Sequence, residues 1–155
     1  MSDITVRIAA VADVDAVAAN NAAIARETEG RRLDPDTLRT GVARVLSDPT
    51  RGVYYLAEIG GRVVGQLLIT REWSDWRNGW FWWIQSVFVA PEARRAGIYR
   101  VLHEHVKAEA SRQTDVCGLR LYVEGENTRA QRVYERLGMR RTTYQLYELE
   151  WATAE

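Results

Sequence analysis

The run WFWWIQSVFV, Trp80 to Val89, constrains the fold more than any other part of this chain. Aromatic and β-branched residues fill it, which suits a pleated strand. It is strand-sized, too short to span a membrane, and Pro91 stops it. After Pro91 the chain makes a short turn containing Arg94, Arg95 and Gly97, and then enters a pattern that reads as a helix from about Ile98 to Arg112.

The flanking segments supply the other elements. Ile4 to Ala9 alternates apolar and polar residues and reads as a strand. Asp13 is placed to cap a helix running to about Arg26, and Gly30 breaks the pattern. Asp34-Pro35 opens a second helix that ends near Leu46. Val53 to Ile59 and Arg62 to Thr70 are strands joined by a Gly60-Gly61 hairpin turn. Arg71 to Gly79 reads as a connector. Gly118 to Glu124 is a strand, Asn127 or Thr128 starts a helix that Gly138 ends, and Thr142 to Trp151 is a closing strand. The order is β-α-α-β-β-β-α-β-α-β. It implies an α/β (α+β) fold with a mixed, mostly antiparallel sheet of about six to seven strands and about four helices on its faces. No linker or low-complexity stretch interrupts it, so one domain over residues 1–155 is expected.

Composition narrows the function. Basic and acidic residues number 21 each, so the formal net charge is zero. That argues against a role dominated by a nucleic-acid backbone, which calls for a basic face. Cys117 is the single cysteine, so no internal disulfide forms, and a reducing compartment is expected. The N-terminal residues carry no signal-peptide pattern, no membrane partner is expected, and a cytoplasmic location is the natural expectation. No metal is expected. Of six tryptophans, Trp73, Trp76, Trp80, Trp82 and Trp83 cluster; most read as core or interface residues, with pocket walls as the second reading.

The turn after the long strand has the chemistry of an anion site. The first amides of a helix lack intrahelical acceptors and carry partial positive charge. Gly97 removes the Cβ that would hold a phosphate away, and Arg94 and Arg95 add donors. A diphosphate suits that geometry. The common NTP loop and the dinucleotide glycine fingerprint are both missing, and a capped surface loop is the competing reading of these residues alone.

Two motifs in register decide between them. Arg94-Arg95-Ala96-Gly97-Ile98-Tyr99 resembles the cofactor motif [RQ]-x-x-G-x-[GA] of the GNAT superfamily of N-acetyltransferases. Asn127, Ala130, Tyr134, Gly138 and Met139 are similar to its second motif, N-x-x-A-x-x-x-Y-x-x-x-G-[FM]. A helix and a strand separate the two, as in that superfamily, and the element order agrees along the chain. Tyr99 departs from the small residue usual at the motif's end.

The resemblance implies acetyl-CoA as acyl donor and a primary amine as acceptor, joined by direct attack on the thioester. It implies that Val87, Phe88 and Val89 pair with the pantetheine arm, that Arg94 to Tyr99 hold the diphosphate, and that Asn127 holds the far end of pantetheine. It places Tyr134 by the sulfur, to donate a proton or to position the thiolate, or else to pack on the cofactor. A base must also take a proton from the incoming ammonium. Gln85 and Ser86 on the long strand are poor bases, which leaves Glu72, Asp75, Glu27 and Glu29, with Glu72 first because it lies just past the expected end of its strand. His103 and His105 read as surface and packing residues. The acids with Trp73 and Trp76 suggest a small cationic amine acceptor such as a polyamine, an amino acid or an amino sugar. A homodimer is consistent with the family. The alternatives are a CoA-binding regulatory or structural module without turnover and a nucleotide-binding domain of another fold.

Overall fold

The computed structural model describes residues 3–151. Two compact units divide it, one ending at Leu121 and the other beginning at Tyr122.

The first unit is a five-stranded sheet in the order β1-β2-β3-β4-β5. Its strands are β1 (Ile4–Ile8), β2 (Val53–Ile59), β3 (Arg62–Ser74), β4 (Gly79–Val89) and β5 (Val116–Arg120). All neighbours are antiparallel except β4 and β5, which run parallel. The helices are α1 (Val14–Glu29), α2 (Pro35–Ser47) and α3 (Ile98–Arg112). Ile98, Leu102, Val106 and Ala110 form the buried stripe of α3 and pack on Tyr55, Ala57, Leu67, Ile69, Trp82 and Ile84. On the other face, Val17 of α1 and Val42 of α2 meet Tyr54, Leu56 and Leu68. Both faces are covered, which is why VYYLA in β2 reads as an unbroken apolar run. Each fully buried large side chain in the α3 stripe contributes about 1.5–3 kcal/mol.

A polar chain also ties α1 to the sheet. Gln66 is fully buried, accepts from Asn20 Nδ2 at 2.9 Å and donates to Asn21 Oδ1 at 2.9 Å. Asn21 in turn donates to the Tyr54 hydroxyl at 3.0 Å. Each amide is satisfied, so the network fixes the register of α1 without leaving a buried polar group unmatched.

In the second unit, α4 spans Thr128–Arg136. Asn127 caps it by accepting from Ala130 N at 3.1 Å. Gly138 (φ 93°) follows its C-terminus, where Met139 N donates to Tyr134 O at 3.0 Å.

Four expectations are corrected. The described residues hold five strands in one sheet, not six to seven, and Thr142 to Trp151 is not a strand. Its alternating pattern is real, but a strand needs a ladder partner and none is paired to it among the described residues. The strand expected at Gly118 to Glu124 lies at Val116–Arg120. The Arg71 to Gly79 connector is mostly strand: β3 continues to Ser74, with Glu72 opposite Phe81 and Trp73 opposite Trp80. Cross-strand aromatic pairing with β4 overrides the polar composition there. Asp13 precedes α1 but makes no side-chain cap. Its carboxylate instead accepts from Arg7 Nη1 at 2.8 Å, Arg7 Nη2 at 2.9 Å and Ala10 N at 2.7 Å.

Candidate active site

β4 carries the site because its two ends are held differently. On the β5 side it is paired only from Trp80 to Trp83, opposite Val116 to Arg120. Among the described residues, Ile84 to Val89 has no β5 partner. On the β3 side the ladder carries a bulge: Gln66 faces Phe88 and Leu68 faces Gln85, so Leu67 is opposed by both Ser86 and Val87. Ser86 sits at φ 51°. A bulge of this kind bends the strand away from its neighbour. The outcome is a bent strand end, Val87, Phe88 and Val89, with no ladder partner on the β5 side among the described residues.

The strand then enters the turn at Pro91–Ala93 and the N-terminus of α3. Gly65 on β3 sets how closely α3 approaches. A Cβ there would lie 2.6 Å from Ile98 Cγ2, so only glycine admits Ile98 at this depth. Arg62 at the start of β3 pairs with Glu92 and ties the turn to the sheet.

The α3 N-terminus differs from those of α2 and α4. Asp34 Oδ2 accepts from Thr37 N at 2.9 Å, and Asn127 caps α4 in the same way. The N-cap of α3 is Gly97, at φ 78° and ψ 19°, and it brings no side chain to the first turn. A Cβ built on Gly97 would meet nothing within 4 Å. Arg94, Arg95, Ala96 and Gly97 are all exposed, and Arg95 adopts φ 68°. An uncapped first turn, open space before it and two arginines beside it suit a diphosphate.

The Arg94 side chain is already placed. Nε donates to Val89 O at 3.0 Å and Nη2 to Glu27 Oε2 at 2.7 Å. Glu27, expected near the acceptor, thus lies beside the cradle. The Tyr99 hydroxyl lies 3.2 Å from His103 Nδ1, one turn along α3, and its ring packs against the core. His103 is 1% exposed, not a surface residue, and burial lowers its pKa. It stands neutral at pH 7.

The candidate acids have separate surroundings. Glu72 Oε1 accepts from Arg120 Nη1 at 2.7 Å. Asp75 Oδ1 accepts from Trp76 N at 2.9 Å. Glu29 is exposed at the end of α1. Strand alternation puts Trp73 on the opposite sheet face from Glu72, where it stacks edge-on to Trp80 with centroids 4.9 Å apart. Beside Glu72 stand two residues the sequence did not single out. Phe81 is directly opposite on β4, and the Arg120 guanidinium lies 3.6 Å from its ring centroid. Their signal is the ladder register, which no periodicity in the sequence reveals.

In the second unit, burial raises the Tyr134 phenol above the usual tyrosine value. The phenol therefore stays protonated through the neutral range. Asn127 spends its carbonyl oxygen on the α4 cap and keeps its amide NH2 as the donor end.

The mixed sheet pairs its two parallel strands only along Trp80 to Trp83, and the strand that continues past that pairing leads into a helix with a bare glycine N-cap. Comparison with known proteins identifies the class. Residues 17–139 match the acetyltransferase (GNAT) family, and the chain belongs to that family. It is similar to the structure of a possible acetyltransferase from Clostridium difficile 630, with 43% identity, 97% of this chain and 99% of that one covered, and a TM-score of 0.90. It also shares its fold with a predicted acetyltransferase with acetyl-CoA from Clostridium acetobutylicum, at 18% identity, 96% coverage of each chain and a TM-score of 0.76. An aminoglycoside acetyltransferase from an uncultured soil metagenomic sample shares the fold at 18% identity, covering 97% of this chain and 99% of that one, with a TM-score of 0.73. No curated protein matches. The protein is an acetyl-CoA-dependent acyltransferase. Among the described residues no helix is long and apolar enough to cross a membrane.

Proposed function

We propose that this protein is a cytoplasmic N-acetyltransferase that moves the acetyl group of acetyl-CoA to the primary amine of a small molecule. One observation carries the reading: the glycine-capped, side-chain-free N-terminus of α3 stands at the end of a strand with no ladder partner there on its β5 side among the described residues. The two compact units act as one GNAT-like domain over residues 1–155. The family match supports this, since it runs from Val17 to Met139 through both.

The donor is held mainly by backbone. Val87, Phe88 and Val89 pair with the pantetheine arm, and the Val87 amide polarises the thioester carbonyl. Arg95, Ala96, Gly97, Ile98 and Tyr99 offer amides to the diphosphate while Arg94 adds charge. The Asn127 amide holds the far end of pantetheine. Tyr134 serves the leaving sulfur. A CoA thiolate has a pKa of about 8.5, and an ordinary phenol about 10. Burial moves Tyr134 still higher, so it stabilises the thiolate better as a hydrogen-bond donor than by surrendering its proton.

The acceptor amine enters on the Glu72 side. Glu72 takes its proton through the carboxylate oxygen that Arg120 leaves unused. Of the other expected acceptor residues, Asp75 follows directly after β3, whereas Trp73 lies on the opposite sheet face from Glu72 and Glu27 is paired with Arg94 beside the cradle. The acceptor is a single small molecule, and a homodimer is the working assembly.

The test is a thiol-release assay with acetyl-CoA over classes of amine, beside calorimetry with CoA and with ATP. CoA binding with amine-dependent thiol release is expected. CoA binding without release on any amine would reduce the protein to a regulatory binding module, and ATP binding without CoA binding would overturn the donor assignment.

A further inference from the structure

Charge around Phe81 bears on which amine is taken. Three charged groups surround this ring: Arg120 stacks on it at 3.6 Å, Arg77 lies 5.0 Å from its centroid, and Glu72 stands opposite it on β3. Two guanidiniums thus face one carboxylate. A surface meant for a polycation would show the reverse balance. Arg120 sits on the last paired rung of β5, beside Trp83. Its side chain is only 28% exposed. Within the described residues it spends one donor, on Glu72 Oε1, while a guanidinium has five N–H donors. A half-buried arginine held by a ring face and one carboxylate, with most of its fork unspent, is preorganised for an oxyanion. Gly118, two residues before it on β5, keeps that space for the ring, since a Cβ there would lie 2.9 Å from Phe81.

We infer that Arg120 and Glu72 together recognise the zwitterion of a free α-amino acid, so that the acceptor carries a carboxylate on the carbon that bears its amine. The ion pair sets a cation and an anion side by side, as the carboxylate and ammonium of an α-amino acid stand side by side with the charges reversed. The acceptor carboxylate takes the free edge of Arg120, and its ammonium faces the unused oxygen of Glu72. The ammonium gives one proton to Glu72. The freed nitrogen pair forms a bond to the acetyl carbonyl carbon and the C–S bond breaks. The acylated nitrogen releases its second proton, CoA leaves as thiolate and takes that proton up, and the products are the N-acetyl amino acid and CoA thiol.

This inference rests on the acetyltransferase reading, and its test separates the two. Thiol release is measured with common α-amino acids, each beside its α-amide and its decarboxylated amine. The free acid is expected to exceed both partners by about tenfold or more in kcat/KM, the worth of a charge-assisted pair. In Arg120→Gln the acid should lose about that factor through KM beyond any kcat loss that acid and decarboxylated amine share when Glu72 loses its partner, while the acetyl-CoA KM changes little. Arg120→Lys should fall between, and thermal melts of both variants show that they fold. Equal use of acid, amide and amine, no turnover of any α-amino acid, or an Arg120→Gln loss shared equally by acid and amine would each overturn the inference. The first and third leave the acetyltransferase reading intact; that reading fails if CoA does not bind.

Discussion

The cradle can be tested by a pair of substitutions with the same backbone cost and different consequences. Gly97 (φ 78°, ψ 19°) and Gly30 (φ 60°, ψ 23°) both hold the left-handed region, one before α3 and one after α1. A Cβ on either meets no atom within 4 Å. Alanine at each position therefore incurs conformational strain and no clash, about 1–2 kcal/mol. Reduced freedom of the unfolded chain returns about 0.4–1 kcal/mol of it. For a chain of this size 1 kcal/mol corresponds to about 2–4 °C in Tm, so Gly97→Ala and Gly30→Ala should melt a few degrees below the parent and close to each other. Only Gly97→Ala puts a methyl group where the diphosphate is held. Loss of one charge-assisted contact, about 1.5–3 kcal/mol, weakens CoA binding by about tenfold to a hundredfold. Calorimetric titration of CoA into both variants is the assay. If Gly97→Ala binds CoA as tightly as Gly30→Ala, the space before α3 is not the diphosphate site.

Further substitutions probe the leaving group, the α3 contact, the polar network and the α1 entry. Tyr134→Phe should lower kcat by about tenfold while the CoA Kd stays near that of the parent, and unchanged turnover would leave Tyr134 a packing role. Gly65→Ala drives a methyl against Ile98 Cγ2 and should cost about 1–3 kcal/mol in denaturant unfolding, with CoA affinity falling as α3 is pushed off the sheet. Gln66→Leu leaves Asn20 and Asn21 without their buried partner and should cost about 2 kcal/mol by the same measurement. Arg7 holds the Asp13 carboxyl below the usual aspartate value. Its contribution is thus present above the unfolded value of about 3.9 and lost as pH falls through the lower folded one. Asp13→Asn should therefore be less stable at pH 7, by no more than about 1 kcal/mol for a partly exposed pair, and the gap should close in acid melts.

Local chemistry made much of the fold readable. Asp34-Pro35 marks the start of α2 to the residue, because a cap and a fixed φ act within one turn. Asn127 and Gly138 mark α4 for the same reason, so two members of the second motif are helix punctuation before they are anything else. Where partners far along the chain decide, the reading fails. β3 runs on to Ser74 because Trp80, Phe81 and Trp82 pair with Trp73, Glu72 and Arg71, while Thr142 to Trp151 has a strand's alternation and no ladder. Asp13 had the right residue type for a cap, and a competing arginine on β1 took its carboxylate.

The same division separates the donor and acceptor halves of the proposed site. The proposed donor half is backbone chemistry: a glycine N-cap, a bulge and an uncapped helix act through amides, and the residues that permit them are contiguous from Ser86 to Tyr99. A motif can therefore encode it. The acceptor half depends on which side chains the register brings face to face. Glu72, Phe81 and Arg120 lie on three strands, and Arg120 is 48 residues from the carboxylate it holds. Shifting β4 by one residue would turn Phe81 to the opposite face and leave Arg120 stacked on nothing. The bulge at Ser86 lies within β4, so the register before it and the register after it need not change together. A chain of this kind can keep its donor site while its acceptor face is rebuilt, and for that reason the matched acid, amide and amine acceptors, not a closer reading of the motif, are what decide the substrate.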